Sequence, residues 1–246
     1  MTANELFRAG KLKEAVQSAT DEVRQNPLDV KRRSFLFELL CFAGDFDRAG
    51  KQLEVLGQGG QQAELGALLL RAAIHSERER QDFFQKRAYL DLGNTAAEAP
   101  ATGAFNGQPF NEISDADPRI GPRFEVFIAG KYILVPFAHI TSLELQPPKR
   151  LRDLLWSAVL IRNGPNFKGR DLGEVMTPVL APFTATNADD AVRVGRATVW
   201  EEVEGTDVPF GQRMLLIDGE EVPLLELRTL EFTEPESSAE ETAAGS

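Results

Sequence analysis

The chain has 246 residues, 42% of them hydrophobic, and a net charge of −11, enough for one large domain or two small ones with ample core. Residues 200–246 hold 13 acids against only Arg213 and Arg228 while the rest is balanced, so no basic footprint for nucleic acid stands out. The single cysteine, Cys41, excludes an intramolecular disulfide framework. No charged-then-apolar leader opens the chain and no run approaches the ~18 apolar residues of a membrane span; a soluble cytoplasmic protein is expected.

The first third has helical spacing. "RAGKLKEA" (8–15) returns as "FAGDFDRA" (42–49), so that Ala9, Gly10, Leu12 and Ala15 fall on Ala43, Gly44, Phe46 and Ala49, 34 positions on. That is the period of tetratricopeptide-like helical hairpins. Gly10 and Gly44 suit the left-handed turn that ends one helix, and Leu12 and Phe46 open the apolar face of the next. Ala15 and Ala49 are small where two helices approach closely. Pro27 stops the second helix, and Asp29 caps a third over roughly 30–43. The match is partial, because Phe37 stands where such repeats want a small residue and Arg33 where they favour an aromatic. A third hairpin is expected in 61–92, without the glycine and alanine marks.

Gly93 to Pro122 is rich in Gly, Ala, Asn, Asp and Pro and reads as a linker or wrapping segment, its second half docked through Phe105, Phe110 and Ile113. Beyond it the period becomes two. "RFEVFIAGKYILVPF" (123–137) is two strands about a turn at Ala129-Gly130-Lys131, with Phe124, Val126 and Ile128 on one face. "ITSLELQ" is a strand, "KRLRDLLW" a short helix, and "SAVLIRN", "LGEVMTPVLA" and "ATVWEEV" are strands. "GPNFKGRDLG" (164–173) reads as a hairpin loop, and a last hairpin turns at Asp218-Gly219, a dipeptide suited to a type I′ turn. "TEPESSAEETAAGS" lacks any apolar residue larger than alanine and is expected to be disordered. The fold class is therefore α+β: an N-terminal tetratricopeptide-like α-helical hairpin domain (1–92), a linker or wrapping segment (93–122), a β-rich α+β domain (123–233) and an acidic tail (234–246).

"GQPF" (107–110), "DADPRIGPRFEVFIAGKYILVPF" (115–137), "LRDLLW" (151–156), "GQRMLL" (211–216) and "VPLLELRTLEF" (222–232), in this order and spacing, resemble the ImpE/TagJ family of type VI secretion accessory proteins. The resemblance covers essentially residues 1 to 232. It implies a helical repeat-like domain joined to an α+β domain. It also implies a non-enzymatic role at the contractile secretion sheath, with the N-terminal helix of the small sheath subunit as partner and a link to the AAA+ ATPase that recycles contracted sheath.

The catalytic inventory is thin. His75 and His139 are the two histidines; no His-x-x-x-His, Cys-x-x-Cys or His/carboxylate cluster points to zinc, and neither a G-x-S-x-G elbow nor a phosphate-binding G-x-x-x-x-G-K-[ST] occurs. No cofactor, metal or catalytic residue is assigned. In "SDADPRIGP", Asp115 and Asp117 imitate the first ligands of a calcium loop, but Arg119 takes the third ligand position. These carboxylates are expected to cap turns and pair with Arg119 or Arg123, with a partner-binding role as the alternative. Stacked hairpins leave a concave face, which in the complete repeat includes Lys31, Ser34, Glu38, Cys41 and Phe42, suited to an amphipathic helix. For Cys41 the competing reading is a small buried hydrophobe. The competing function is an enzyme of unrecognised class with a site in the C-terminal domain near His139 and the two aspartates.

Overall fold

The structure, a computed structural model, describes residues 1–92, 102–164 and 171–233. The first part of the expected linker, most of the 164–173 loop and the acidic tail lie outside the described residues. Five helices come first: α1 (Ala3–Arg8), α2 (Leu12–Gln25), α3 (Val30–Phe42), α4 (Phe46–Leu56) and α5 (Gln61–Gln85). Local chemistry sets their ends. Thr2 and Glu5 form a capping box on α1, and Asp29 accepts from the Lys31 and Arg32 amides at the start of α3. Gly10 and Gly44 turn the chain at φ of 76° and 73°, where a side chain would be strained. Ala15 and Ala49 are fully buried, which lets α1–α2 and α3–α4 close as antiparallel pairs.

Residues 61–92 do not form a third hairpin. Gln61–Gln85 is one helix of 25 residues, because nothing between Gly66 and Gln85 breaks it. A 3₁₀ turn over Ala88–Leu92 follows.

The remainder is antiparallel. An eight-stranded sheet has the order β2-β1-β13-β6-β7-β8-β4-β5, built from β1 (Gly103–Phe105), β2 (Gln108–Phe110), β4 (Arg123–Ile128), β5 (Lys131–Pro136), β6 (Ile140–Leu145), β7 (Trp156–Asn163), β8 (Gly173–Pro178) and β13 (Thr229–Phe232). A three-stranded sheet combines β3 (Ile113–Asp115) with β11 (Met214–Ile217) and β12 (Glu220–Pro223); β9 (Val199–Val203) and β10 (Thr206–Phe210) pair separately. The short helix α6 (Asp190–Arg193) precedes β9. Ala129 and Gly130, like Asp218 and Gly219, all have positive φ, the geometry a two-residue hairpin needs. Over 102–122 the expected wrapping segment supplies three strands, with Phe110 and Ile113 buried. "KRLRDLLW" contributes a 3₁₀ turn, Leu151–Leu154.

One core joins the helices to one face of the large sheet: Leu12, Phe37, Leu40 and Ala49 share it with Phe127, Leu155, Trp156 and Val194. Another fills the opposite face, where Phe124, Val126, Val159 and Ile161 meet Ile113, Leu215 and Leu224. Strand β4 is thus covered on both sides, Phe124 and Val126 facing one way and Phe127 the other. The alternation also turns Glu125 toward the helices.

Candidate functional site

Glu125, fully buried, is the centre of a chain of charges between α5 and the strands. Arg80 of α5 donates to it through Nε at 2.6 Å and a terminal nitrogen at 2.8 Å, and to Glu77 at 3.2 Å. Arg213, just before β11, reaches Glu125 at 2.8 Å and Asp115 at 2.6 Å. Tyr132 donates its hydroxyl to Glu125 at 2.8 Å, and Trp156 Nε1 lies 3.4 Å from Glu77. Burial pushes Glu125 up, but Arg80 and Arg213 outweigh it and hold the carboxyl below its ordinary range. Burial pushes Asp115 up to about 6 against the pull of Arg213, and raises the Tyr132 hydroxyl further, helped by Glu125. A buried ionic chain of this kind fixes how helices and sheet meet, because an unmatched arrangement strands a charge.

Asp117 pairs with Arg119 at 2.6 Å, and both aspartates receive backbone amides two residues on: Asp115 from Asp117 at 2.9 Å and Asp117 from Arg119 at 3.0 Å. The partner of Asp115 is Arg213; Arg123 instead donates to the Ile120 carbonyl. The Arg119 guanidinium lies 4.8 Å from the Phe84 ring centre, so this turn also rests on α5. Both carboxylates are therefore engaged by guanidinium groups. His139 ends the 3₁₀ turn Phe137–His139, its carbonyl accepting from Gly164 at 2.8 Å; His75 is an exposed residue of α5 whose Nδ1 lies 2.9 Å from the Gly130 carbonyl oxygen. Among the described residues no group of three or more His, Cys, Asp or Glu is arranged to hold a metal ion.

The expected concave face is divided. Lys31 is exposed, and Ser34 and Glu38 are half-buried. Cys41 and Phe42, at 3% and 1% exposure, are core rather than surface. The reason is that the chain covers them itself: Leu155, Trp156, Leu180 and Phe183 line one small cavity with them. Burial, with Glu38 and Glu77 adding to it, raises the Cys41 thiol well above its usual value. Glu38 looks onto the turn Leu151–Leu154; burial pushes it up to about 7, Arg152 and Arg150 pulling it down and Asp153 adding to the rise.

Beside that turn is a cleft of about 260 Å³ between α1 and the β-rich part. Val179 and Val194 are its buried floor, and Phe7, Leu154, Leu180 and Leu225 are half-exposed walls. Arg196 closes one end: it donates to the Phe7 and Arg8 carbonyls at 3.0 and 2.9 Å and lies over the Phe7 ring at 5.5 Å. Phe7 in turn meets Phe35 at 6.1 Å between ring centres, so the cleft continues toward the α3 face that carries Glu38. Its walls come from segments far apart in sequence, which is why periodicity did not find it. The charge chain did leave a trace: Glu125 interrupts an apolar strand, and Arg213 is one of two cations in an acidic stretch.

The family model described as "ImpE protein" matches residues 107–231. The chain is 31% identical to the type VI secretion system accessory component TagJ of Pseudomonas aeruginosa over 265 residues, covering 94% of this chain and 91% of that protein. The chain belongs to the ImpE family. A crystal structure of a Vibrio parahaemolyticus protein has the same fold, with a TM-score of 0.81 at 24% identity, over 95% of this chain and 98% of that one. The ImpE match takes in Asp115, Glu125 and Arg213, and Leu154, Leu180 and Arg196 of the cleft, while α1–α5 lie before it.

Proposed function

We propose that this protein is a non-enzymatic accessory component of type VI secretion. In this reading it is a cytoplasmic adaptor that receives the N-terminal helix of the small contractile-sheath subunit and links it to the AAA+ ATPase that recycles contracted sheath. Similarity to the Pseudomonas aeruginosa TagJ over 94% of the chain supports the accessory role. The observation that carries the binding mode is the apolar cleft between α1 and the β-rich part, with charged groups at its edge. Such a surface suits an amphipathic helix, whose apolar stripe docks while its polar side meets the rim. Among the described residues no helix is long and apolar enough to cross a membrane, in keeping with a role away from the bilayer.

The test is calorimetry of the full chain against a peptide of that sheath helix, with a separate pull-down against domains of the ATPase. Micromolar or tighter binding is expected, about −8 kcal/mol or better. Absence of binding by the intact chain removes the adaptor mechanism, and absence of ATPase in the pull-down removes the link alone.

A further inference from the structure

We infer that the helix docks in the cleft between α1 and the β-rich part, seating one bulky apolar side chain between Phe7 and Leu154 and setting carboxylates against the arginines at the rim. The assignment rests on the adaptor reading above and adds to it a location and a partner chemistry.

Size argues for a single side chain. At about 260 Å³ the cleft is below the range of roughly 300–1,000 Å³ usual for small-molecule sites, yet has room for one leucine or phenylalanine. Its floor is closed by Val179 and Val194, so an inserted group meets packed apolar atoms on several sides. This is the geometry in which an interface anchor contributes most. The Phe7 wall is held in place by Arg196 through two backbone carbonyls and the ring face, which limits the ordering cost of binding.

Charge argues for the flanks. The chain as a whole carries −11, yet Arg196 stands at one end of the cleft, and Arg150 and Arg152 flank the turn that supplies Leu154. Asp153 is turned inward, accepting from the Lys149 and Arg150 amides at 2.8 Å each. Glu38, opposite that turn, is half-buried and near neutrality at pH 7. A basic rim on an acidic protein favours a partner segment with carboxylates beside its apolar anchor, and like-charge contact disfavours a basic one.

The competing apolar surface is the stripe Leu65, Leu68 and Leu69 on α5, exposed at 55, 58 and 60%. Of the cavities lined by the cleft residues and by this stripe, only the cleft has a floor. The two surfaces can be separated by experiment. Calorimetry with the sheath-helix peptide is run on the full-length chain and on Leu154→Asp, Arg150→Glu/Arg152→Glu and Leu68→Ser, each first shown folded by its unfolding transition. Leu154→Asp should weaken binding about tenfold or more. The double charge reversal should weaken it several-fold and flatten its salt dependence, and a peptide with its carboxylates replaced by lysine should bind the reversed variant better than the wild type. Leu68→Ser should bind as the wild type does. Undiminished binding by folded Leu154→Asp, or loss on Leu68→Ser, overturns the assignment while leaving the adaptor reading intact. No binding by the wild-type chain overturns both.

Discussion

Replacing Arg80 by methionine tests whether the buried charge chain joins helices to sheet. The side chain is 1% exposed and gives Glu125 two short hydrogen bonds and Glu77 a third. Methionine keeps the helix and much of the volume but removes all three donors. Glu125 would retain Arg213 at 2.8 Å and the Tyr132 hydroxyl at 2.8 Å. Removing one partner of a buried pair costs about 3–5 kcal/mol, and the two surviving partners place this case near the lower end. Against a total stability of about 5–15 kcal/mol, a loss of about 3 kcal/mol is large. It corresponds to a fall in Tm of about 6–12 °C for a chain of this size. The sign of the pH dependence follows from Glu125. In the wild type its pKa lies below the ordinary value because Arg80 and Arg213 outweigh burial, so it contributes stability above pH 4.5 that is lost on acidification. Without Arg80, burial raises the same group, and protonation relieves the penalty as pH falls. The deficit of the variant should therefore be full at pH 8 and smaller at pH 5. Thermal and urea unfolding followed by far-UV circular dichroism at both pH values would measure it. A Tm lowered by less than about 2 °C, or a deficit that does not change with pH, would refute the reasoning.

Three further outcomes are expected. Ala49→Glu places a carboxylate at a fully buried helix contact and should cost about 3 kcal/mol or more; an unchanged melting temperature would contradict the close approach of α3 and α4. Gly44→Ala puts a Cβ at φ of 73° and 2.9 Å from the Ala185 Cβ, so urea unfolding should register a loss of about 1–3 kcal/mol, and a neutral result would argue against that turn. Glu38, raised from 4.5 to about 7 by burial, contributes stability that is full below pH 4.5 and lost as pH rises through 7. Glu38→Gln should therefore be more stable than the wild type at pH 8, by about 1–2 kcal/mol after allowance for solvent screening. The two should converge toward pH 4.5, and parallel stability curves would count against the shift.

What the sequence determined by itself is what short-range chemistry controls. Asp29 caps α3 because its oxygen reaches amides two and three residues on, and Gly10, Gly44 and Asp218-Gly219 turn the chain because few residues accept positive φ. The strands on either side of Ala129-Gly130 were legible from their alternation, as was the family from its ordered motifs. Continuity of α5 and the strand pairing of 103–115 were not: the first depends on the absence of a strong breaker, the second on partners such as β13, more than a hundred residues away. The same limit hid the site. Glu125 in "RFEVFI" has the period of a solvent-facing residue, and only Arg80 and Arg213, 45 and 88 positions away, make its burial tolerable. Phe42 belongs to a concave helical face until Trp156 and Leu180 fill it, and the cleft that remains has walls from α1, the 151–154 turn and residues 179–225. Which apolar surface stays open is settled by what the rest of the chain covers, and that is a property of tertiary packing.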